Sequence, residues 1–328
     1  MDRKWVAALD VGATHVSVGL VSNQGDIRDK HEMMTRPAGE TRPFRARLTE
    51  LAAGLLDRAR ADKIAPVGIA VGAPGIVDTD KGVLVVAGNI PEFLGLPLGP
   101  DFTEEFGLPV QLENDVNAQA VGEMLFGVAR GKKNFILLTI GTDLGGGIII
   151  DGKLHRGAHF IAAEFGHMTL ELEGNPCVCG GVGCAREIVS GAGIADRARN
   201  ILTDDSSVIR DAGDRTAVTA RHVFKAAREG VPEAEALVED FARRFGAIIA
   251  NVMKVLDPEL VIMAGEIIRH ENQIISRIVH WTRQYYFPMP QLPDFRLSEL
   301  TKETAVLGPA ACFFVAHNIE TGRGSNKN

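Results

Sequence analysis

Nowhere does the 328-residue chain stay apolar for long enough to cross a membrane: its longest apolar stretches, such as Val67–Val77, are broken by Gly and Pro. Positive charge is not in excess either. Lys plus Arg number 35 against 42 Asp plus Glu, a net charge of −7, which excludes a general nucleic-acid binder. Low-complexity tracts and long linkers are absent, and 45% hydrophobic with 23% charged residues provides for packed cores rather than disorder. Met1-Asp2-Arg3-Lys4-Trp5 leads straight into a strand-like run and leaves no room for a secretory signal, so a cytoplasmic protein without a membrane partner is expected. Cysteine is scarce, with four in all, yet Cys177, Cys179 and Cys184 fall within eight residues while Cys312 sits alone in an apolar helical stretch. Three crowded thiols in a cytosolic chain point to metal rather than disulfides. The length suits about two domains.

What is present alternates between strand and turn. Trp5–Leu9 reads as a buried strand, Asp10-Val11-Gly12-Ala13-Thr14 as a tight turn and Val16–Val21 as a returning strand. Phe44–Ala61 has helical periodicity. Pro66–Val71 is a strand running into the loop Gly72-Ala73-Pro74-Gly75, and Leu108–Leu112 is another, ending at Glu113-Asn114-Asp115. Val116–Phe126 then reads as a helix capped by Asn114 or Asp115. The second half repeats the outline, with strand Phe135–Ile140, a glycine-rich turn Gly141–Gly147, a return strand Ile148–Ile150 and a hairpin closed by Asp151-Gly152. Leu9-Asp10-Val11-Gly12 and Leu138-Thr139-Ile140-Gly141 thus hold equivalent places, which predicts an internal duplication into two similar α/β lobes, each offering a glycine turn to a shared cleft. Later, Glu233–Leu256 is a long helix with Leu237, Phe241, Phe245, Ile248, Val252 and Val255 at spacings of 3 and 4. Glu259–Met263 is a strand, Thr304–Ala316 a last apolar helix, and the polar tail Thr321–Asn328 is expected to fray. Arg36, Arg42, Arg45 and Arg47 read as a solvated basic face.

Three places offer chemistry. A phosphate chain needs backbone N–H donors at close range, which side chains larger than Gly obstruct. Asp10 beside the first glycine turn can hold Mg2+ through water, and Thr14 offers a hydroxyl; an ordinary hairpin turn accounts for the same residues. Asp115, at a strand end beside Asn114, can take a proton from an attacking hydroxyl, or it can simply cap the helix that follows. Glu164-Phe165-Gly166-His167 precedes the cysteine cluster, and three thiolates with one imidazole make a closed tetrahedral Zn2+ site of the structural kind, the alternative being a set of buried reduced thiols. Glu164 would stand beside that staple, available to a polyol.

Taken together, Asp10-Val11-Gly12-Ala13-Thr14, Gly72-Ala73-Pro74-Gly75, Glu113-Asn114-Asp115-Val116-Asn117-Ala118, Gly141-Thr142, Glu164-Phe165-Gly166-His167 and the Cys177–Cys184 cluster resemble the ROK family of bacterial sugar kinases and repressors. The resemblance covers nearly the whole chain and implies an actin-like (ribonuclease H-like) duplicated α/β fold, with two lobes around a cleft and the last helix returning to the N-terminal lobe. On that basis residues 1–115 with 302–320 form the smaller lobe, 116–301 the larger lobe with the zinc-binding loop, and 321–328 a disordered tail. It further implies that Asp115 is the base activating a sugar hydroxyl, and that Gly75, Asn89, Asn114, Glu164, His167 and Glu187 line the sugar. ATP would contact Asp10, Gly12, Ala13, Thr14, Gly141, Thr142, Gly145 and Gly265, and His167 would join Cys177, Cys179 and Cys184 on the zinc. The first turn begins at residue 10, which leaves no room for the DNA-binding segment of the repressor branch, and the family tends to form homodimers or homotetramers.

Three positions depart from the family's pattern. Asp143 stands where Gly is usual; a carboxylate ~4 Å from a phosphate costs about 4 kcal/mol per unit charge at an effective dielectric near 20. Arg186 replaces the usual sugar-contacting Glu, with Glu187 one place late, and Glu266 stands where a further Gly is common. The expected activity is ATP-dependent phosphorylation of a hexose, glucose first. A fructose or N-acetylhexosamine kinase, or a sugar-binding sensor without phosphoryl transfer, are the alternatives these departures raise.

Overall fold

An apolar run that packs on both faces must divide its side chains by period two, and the first strand does so in the computed structural model of the chain. In β1 (Trp5–Val11), Ala7, Leu9 and Val11 join one core with Leu48, Leu55 and Phe102. Val6 and Ala8 join another with Leu307, Ala310, Phe313 and Phe314. The structure describes residues 2–12, 14–37, 42–86, 94–271 and 273–322. Ala13, Asn89 and residues 323–328 of the expected tail, all named above, lie outside the described residues.

The first half continues with β2 (His15–Ser22), β3 (Ile27–Met34), α1 (Phe44–Ala61), β4 (Pro66–Ala73), the small hairpin β5 (Ile76–Asp78) and β6 (Val83–Val86), α2 (Leu98–Phe106), β7 (Val110–Asn114) and α3 (Asp115–Phe126). The first sheet runs β3-β2-β1-β4-β7, with β1 antiparallel to β2 and parallel to β4, and β4 parallel to β7. The second half begins with β8 (Phe135–Ile140), β9 (Leu144–Ile150) and β10 (Lys153–Leu154), then α4 (Gly191–Ile201), α5 (Ser207–Ala212), α6 (Ala220–Arg228) and α7 (Pro232–Leu256). It ends with β11 (Leu260–Ala264), α8 (Glu266–His270), α9 (Ile274–Tyr285), β12 (Asp294–Leu297) and α10 (Leu307–Ala316). Its sheet runs β10-β9-β8-β11-β12, with β11 parallel to both β8 and β12. In each sheet the strands follow the chain order third, second, first, fourth, fifth, which is the duplication expected from the two glycine turns.

Two compact units result. One holds the described residues of 1–133, 147–162 and 298–328, the other 134–146 and 163–297. The first unit therefore keeps α3, whereas the sequence reading ends the first lobe at 115. The reason is a close helix crossing: α3 packs on α10 at paired glycines, where a Cβ at Gly308 would stand 2.9 Å from the Ala118 carbonyl and one at Gly122 would stand 3.1 Å from Gly308 Cα. Buried Glu123 adds a polar tie, its carboxylate accepting from the Leu300 N–H at 3.0 Å and the Val128 N–H at 2.8 Å.

Three local expectations change. The glycine turn ends at Asp143, because β9 begins at Leu144; Gly146 and Gly147 are strand residues, kept small by close neighbours. A Cβ would lie 2.2 Å from Phe165 at Gly146 and 2.7 Å from Ala120 at Gly147. Arg47 is buried rather than solvated, its guanidinium donating to the carbonyls of Met34 (3.0 Å) and Thr35. At the C-terminus Gly322 is tied in, its N–H donating to the Asn23 carbonyl at 3.1 Å. Among the described residues no helix is long and apolar enough to cross a membrane.

Since α3 carries Asp115 and Asn117, its seat on α10 bears on the site. Gly308→Val should overpack that crossing and lower stability by about 2 kcal/mol, read as an earlier midpoint in urea unfolding, while Val315→Thr on the exposed side of α10 should leave the midpoint in place.

Candidate active site

In the first unit, the parallel register sets Asp10, Gly72 and Glu113 side by side across β1, β4 and β7. Gly72 is what lets the row close, since a Cβ there would lie 3.2 Å from Asp10 Oδ1 and 2.9 Å from Pro309. One residue beyond Glu113, Asn114 is the N-cap of α3, its Oδ1 accepting from the Val116 and Asn117 N–H groups at 3.0 and 2.9 Å. Its Nδ2 donates to the Gly75 carbonyl at 3.0 Å, and Gly75 takes φ +98°, a conformation open to glycine. Asn114 thus does the capping. Asp115 opens the helix as its first residue, half-buried, with Oδ1 also accepting from the Val116 N–H at 2.9 Å.

Asp10 and Asp115 sense each other. Burial first, and the negative charge of Asp115 second, push the Asp10 carboxyl up to about 7, against a smaller opposing effect of Lys30. The side chain keeps some solvent contact, which screens part of that effect. A carboxyl held this way gains most from a cation placed beside it.

The two glycine turns use their first amides internally. Gly12 N–H donates to the His15 carbonyl at 2.8 Å and Gly141 N–H to the Asp143 carbonyl at 2.9 Å, so neither is free for a phosphate. Thr35 fixes the first turn from the side, its hydroxyl donating to the Gly12 carbonyl at 2.8 Å. The Gly191 N–H, at the start of α4, donates to the Gly141 carbonyl at 2.8 Å. A Cβ at Gly141 would meet nothing within 4 Å, so packing among the described residues does not require glycine there, and the open space suits close approach of a ligand. Gly265 differs, since a Cβ would stand 2.2 Å from the Ile140 carbonyl at φ +94°; the fold itself demands that glycine. Glu266 begins α8 and faces His270 at 3.0 Å.

In the second unit two of the three departures from the family's pattern, Asp143 and Arg186, are partners. Asp143 Oδ1 accepts from Arg186 Nε at 2.8 Å and from the Leu144 N–H at 2.8 Å. The carboxylate on the glycine turn is thereby matched by a guanidinium that is only 16% exposed. Sequence reasoning singled out both residues without pairing them; their opposite charges were the available signal. Glu187 stands 3.9 Å from the same Arg186 nitrogen and lines a cavity of about 210 Å³ with Glu171, Asn175, Asp196, Arg197 and Asn200, a lining that includes neither Glu164 nor His167.

Glu164 precedes the short helical turn Phe165–His167, and His167 ends it. Crowding by protein atoms, then the charge of Asp143, raise the Glu164 carboxyl above its usual range, with His167 opposing; much of the side chain remains in solvent, so the rise counts for little in stability. The ligand atoms of His167, Cys177, Cys179 and Cys184 all lie within 4.8 Å of one another. His167 turns Nδ1 toward Cys177 Sγ at 3.6 Å, and Cys179 Sγ lies 3.6 Å from Cys184 Sγ. Burial and the neighbouring sulfurs push the Cys184 thiol up to about 12, while the Gly181 N–H lowers that of Cys179. Four soft donors at this spacing fit one tetrahedral divalent ion, which would turn the crowded thiols into stable thiolates.

The raised Asp10 carboxyl gives a stability test. Its folded pKa lies above the unfolded 3.8, so the folded state gains below pH 4 and loses that advantage as pH climbs to about 7. Asp10→Asn should therefore match the parent near pH 4 and exceed it at pH 8 by on the order of 2 kcal/mol, measured by denaturant unfolding without nucleotide.

The sequence model of the ROK family matches residues 6–315. A glucokinase from Halalkalibacterium halodurans is 32% identical over 94% of this chain and 94% of its own length. Among solved structures, a ROK family glucokinase from Streptomyces griseus, in complex with glucose and AMPPNP, is 28% identical with TM-score 0.77, covering 93% of this chain and 98% of that one. The ROK hexokinase of Thermus thermophilus is also 28% identical, with TM-score 0.80 over 96% and 99%. The duplicated α/β architecture is the actin-like fold of these kinases, and with the family model spanning nearly its whole length the chain belongs to the ROK family.

Proposed function

We propose that this protein is an ATP-dependent hexose kinase, converting glucose to glucose 6-phosphate, with Asp115 as the general base. The observation that carries the reading is the seat of Asp115, on the first turn of α3 at the end of β7 and electrostatically coupled to Asp10. Full-length kinship with glucokinases supports it. The sugar hydroxyl gives its proton to the Asp115 carboxylate as its oxygen attacks the γ-phosphorus, the bond to the bridging oxygen breaks, and ADP leaves.

The other residues of the proposed site then have defined tasks. Asn114 spends Oδ1 on the helix cap and one amide hydrogen on Gly75, which leaves one N–H for a sugar hydroxyl. Glu164 offers a carboxylate to the ring hydroxyls, and His167 offers Nε2 because Nδ1 faces the cysteines. Asp10 would hold Mg2+ through water, where the ion spreads the charge of the transferring group. Thr14 and Thr142 would supply hydroxyls to the phosphates, with Gly12 and Gly141 leaving space. The pairing of Asp143 with Arg186 removes the main objection to a phosphate near that turn, and with it part of the support for a sensor without catalysis.

The cysteine cluster would hold structural Zn2+ through Cys177, Cys179, Cys184 and His167 Nδ1. The ion would brace the loop that presents Glu164 and His167.

Two outcomes follow. ADP release measured across glucose, fructose, mannose and N-acetylhexosamines should be strongest with glucose, and Asp115→Asn should lower kcat by at least about 100-fold; a higher rate with another sugar would reassign the substrate, and unchanged turnover in the variant would remove Asp115 as base. Metal analysis should find one zinc per chain, and chelation or Cys184→Ser should lower both melting temperature and glucose affinity. Full stability in the metal-free protein would contradict the bracing role.

A further inference from the structure

Glu113 is the least exposed carboxylate beside the proposed base, 1% exposed, and the reaction above gives it no task. Its oxygens divide their partners. Oε2 accepts from both Nε and Nη2 of Arg156, at 2.8 and 2.6 Å, and lies 3.3 Å from the Thr79 hydroxyl. Oε1 accepts from the Asn114 backbone N–H at 3.1 Å and from Asn117 Nδ2 at 3.3 Å. One carboxylate thus grips the peptide that leads into Asp115 and also a residue on the first turn of α3. The Thr79 hydroxyl lies 2.8 Å from the Leu112 carbonyl as well, so the end of β7 is held at successive residues.

The charge balance makes Arg156 necessary to this arrangement. Glu113 lies in the same row as Asp10, two strands away at roughly 10 Å. A buried second carboxylate in that row without a cation beside it would be costly to keep in place, and if it turned away the Asn114 N–H would lose a strong acceptor. The planar guanidinium meets one oxygen with two donors and leaves the other for the turn.

We propose that the Glu113–Arg156 ion pair is a positioning element for phosphoryl transfer, orienting the Asn114–Asp115 turn toward the sugar hydroxyl. The inference rests on the reading of Asp115 as base. Neither residue touches the reacting atoms; both act through the peptide before Asp115.

The test uses Glu113→Gln, Arg156→Gln, Arg156→Lys and the Glu113→Gln/Arg156→Gln double variant, with Asp115→Asn as control. Turnover is followed with ATP and glucose, and AMPPNP binding is measured without sugar. Glu113→Gln and Arg156→Gln should each lose at least tenfold in kcat and bind glucose more weakly, with AMPPNP affinity within twofold of the parent. The double variant should be no slower than the slower single one, because both remove the same device. Arg156→Lys, which keeps the charge without the fork, should fall between the parent and Arg156→Gln, and it carries the test if the glutamine variants fail to fold. Folded variants with kcat within twofold of the parent would overturn the proposal, as would AMPPNP affinity falling in step with kcat. Turnover surviving in Asp115→Asn would overturn the base assignment and this inference with it.

Discussion

Negative charge gathered at the ends of neighbouring parallel strands is the constraint on which the rest of the first unit depends. Asp10 and Glu113 lie in one row across β1, β4 and β7, and Asp115 follows two residues later. Carboxylates crowded in low dielectric cannot all remain charged without compensation. Glu113 is matched by Arg156, whereas Asp10 is left with a carboxyl that titrates near neutrality. The protein therefore holds one unit of charge in reserve, at the place where the proposed reaction would bring a cation and a proton.

The second unit solves the same problem by other means. Asp143 would repel phosphate if unmatched, and Arg186 matches it. Burial, and then the neighbouring sulfurs, drive one of the three thiols far above its usual range, and a bound divalent ion would relieve that. Compensation by guanidinium makes a fixed structural pair. Compensation left to a proton or a metal makes a site that responds to what binds.

Much of this was legible from local pattern. Both hairpin turns, helix Phe44–Ala61, strand Phe135–Ile140 and the four donors of the cysteine cluster follow from periodicity, turn residues and spacing, which are short-range signals. The pairs that compensate charge were not. Glu113 and Arg156, like Asp143 and Arg186, are 43 residues apart, and only the folded chain brings each acid to its base. The run Gly145-Gly146-Gly147 misled for a related reason: Gly146 and Gly147 stay small because Phe165 and Ala120 press against them from other segments, and not because the chain turns there. Arg47 reads as solvated in the sequence because nothing local reveals the carbonyls of Met34 and Thr35 that receive it.

The reserve of charge at Asp10 can be observed directly by 13C NMR of the aspartate side-chain carboxyls, titrated from pH 3 to 9, with Asp10→Asn to assign the resonance. The account predicts a midpoint near 7 in the free protein and a fall well below it once magnesium and AMPPNP are bound. An Asp10 carboxyl that already titrates near 4 in the free protein would contradict it.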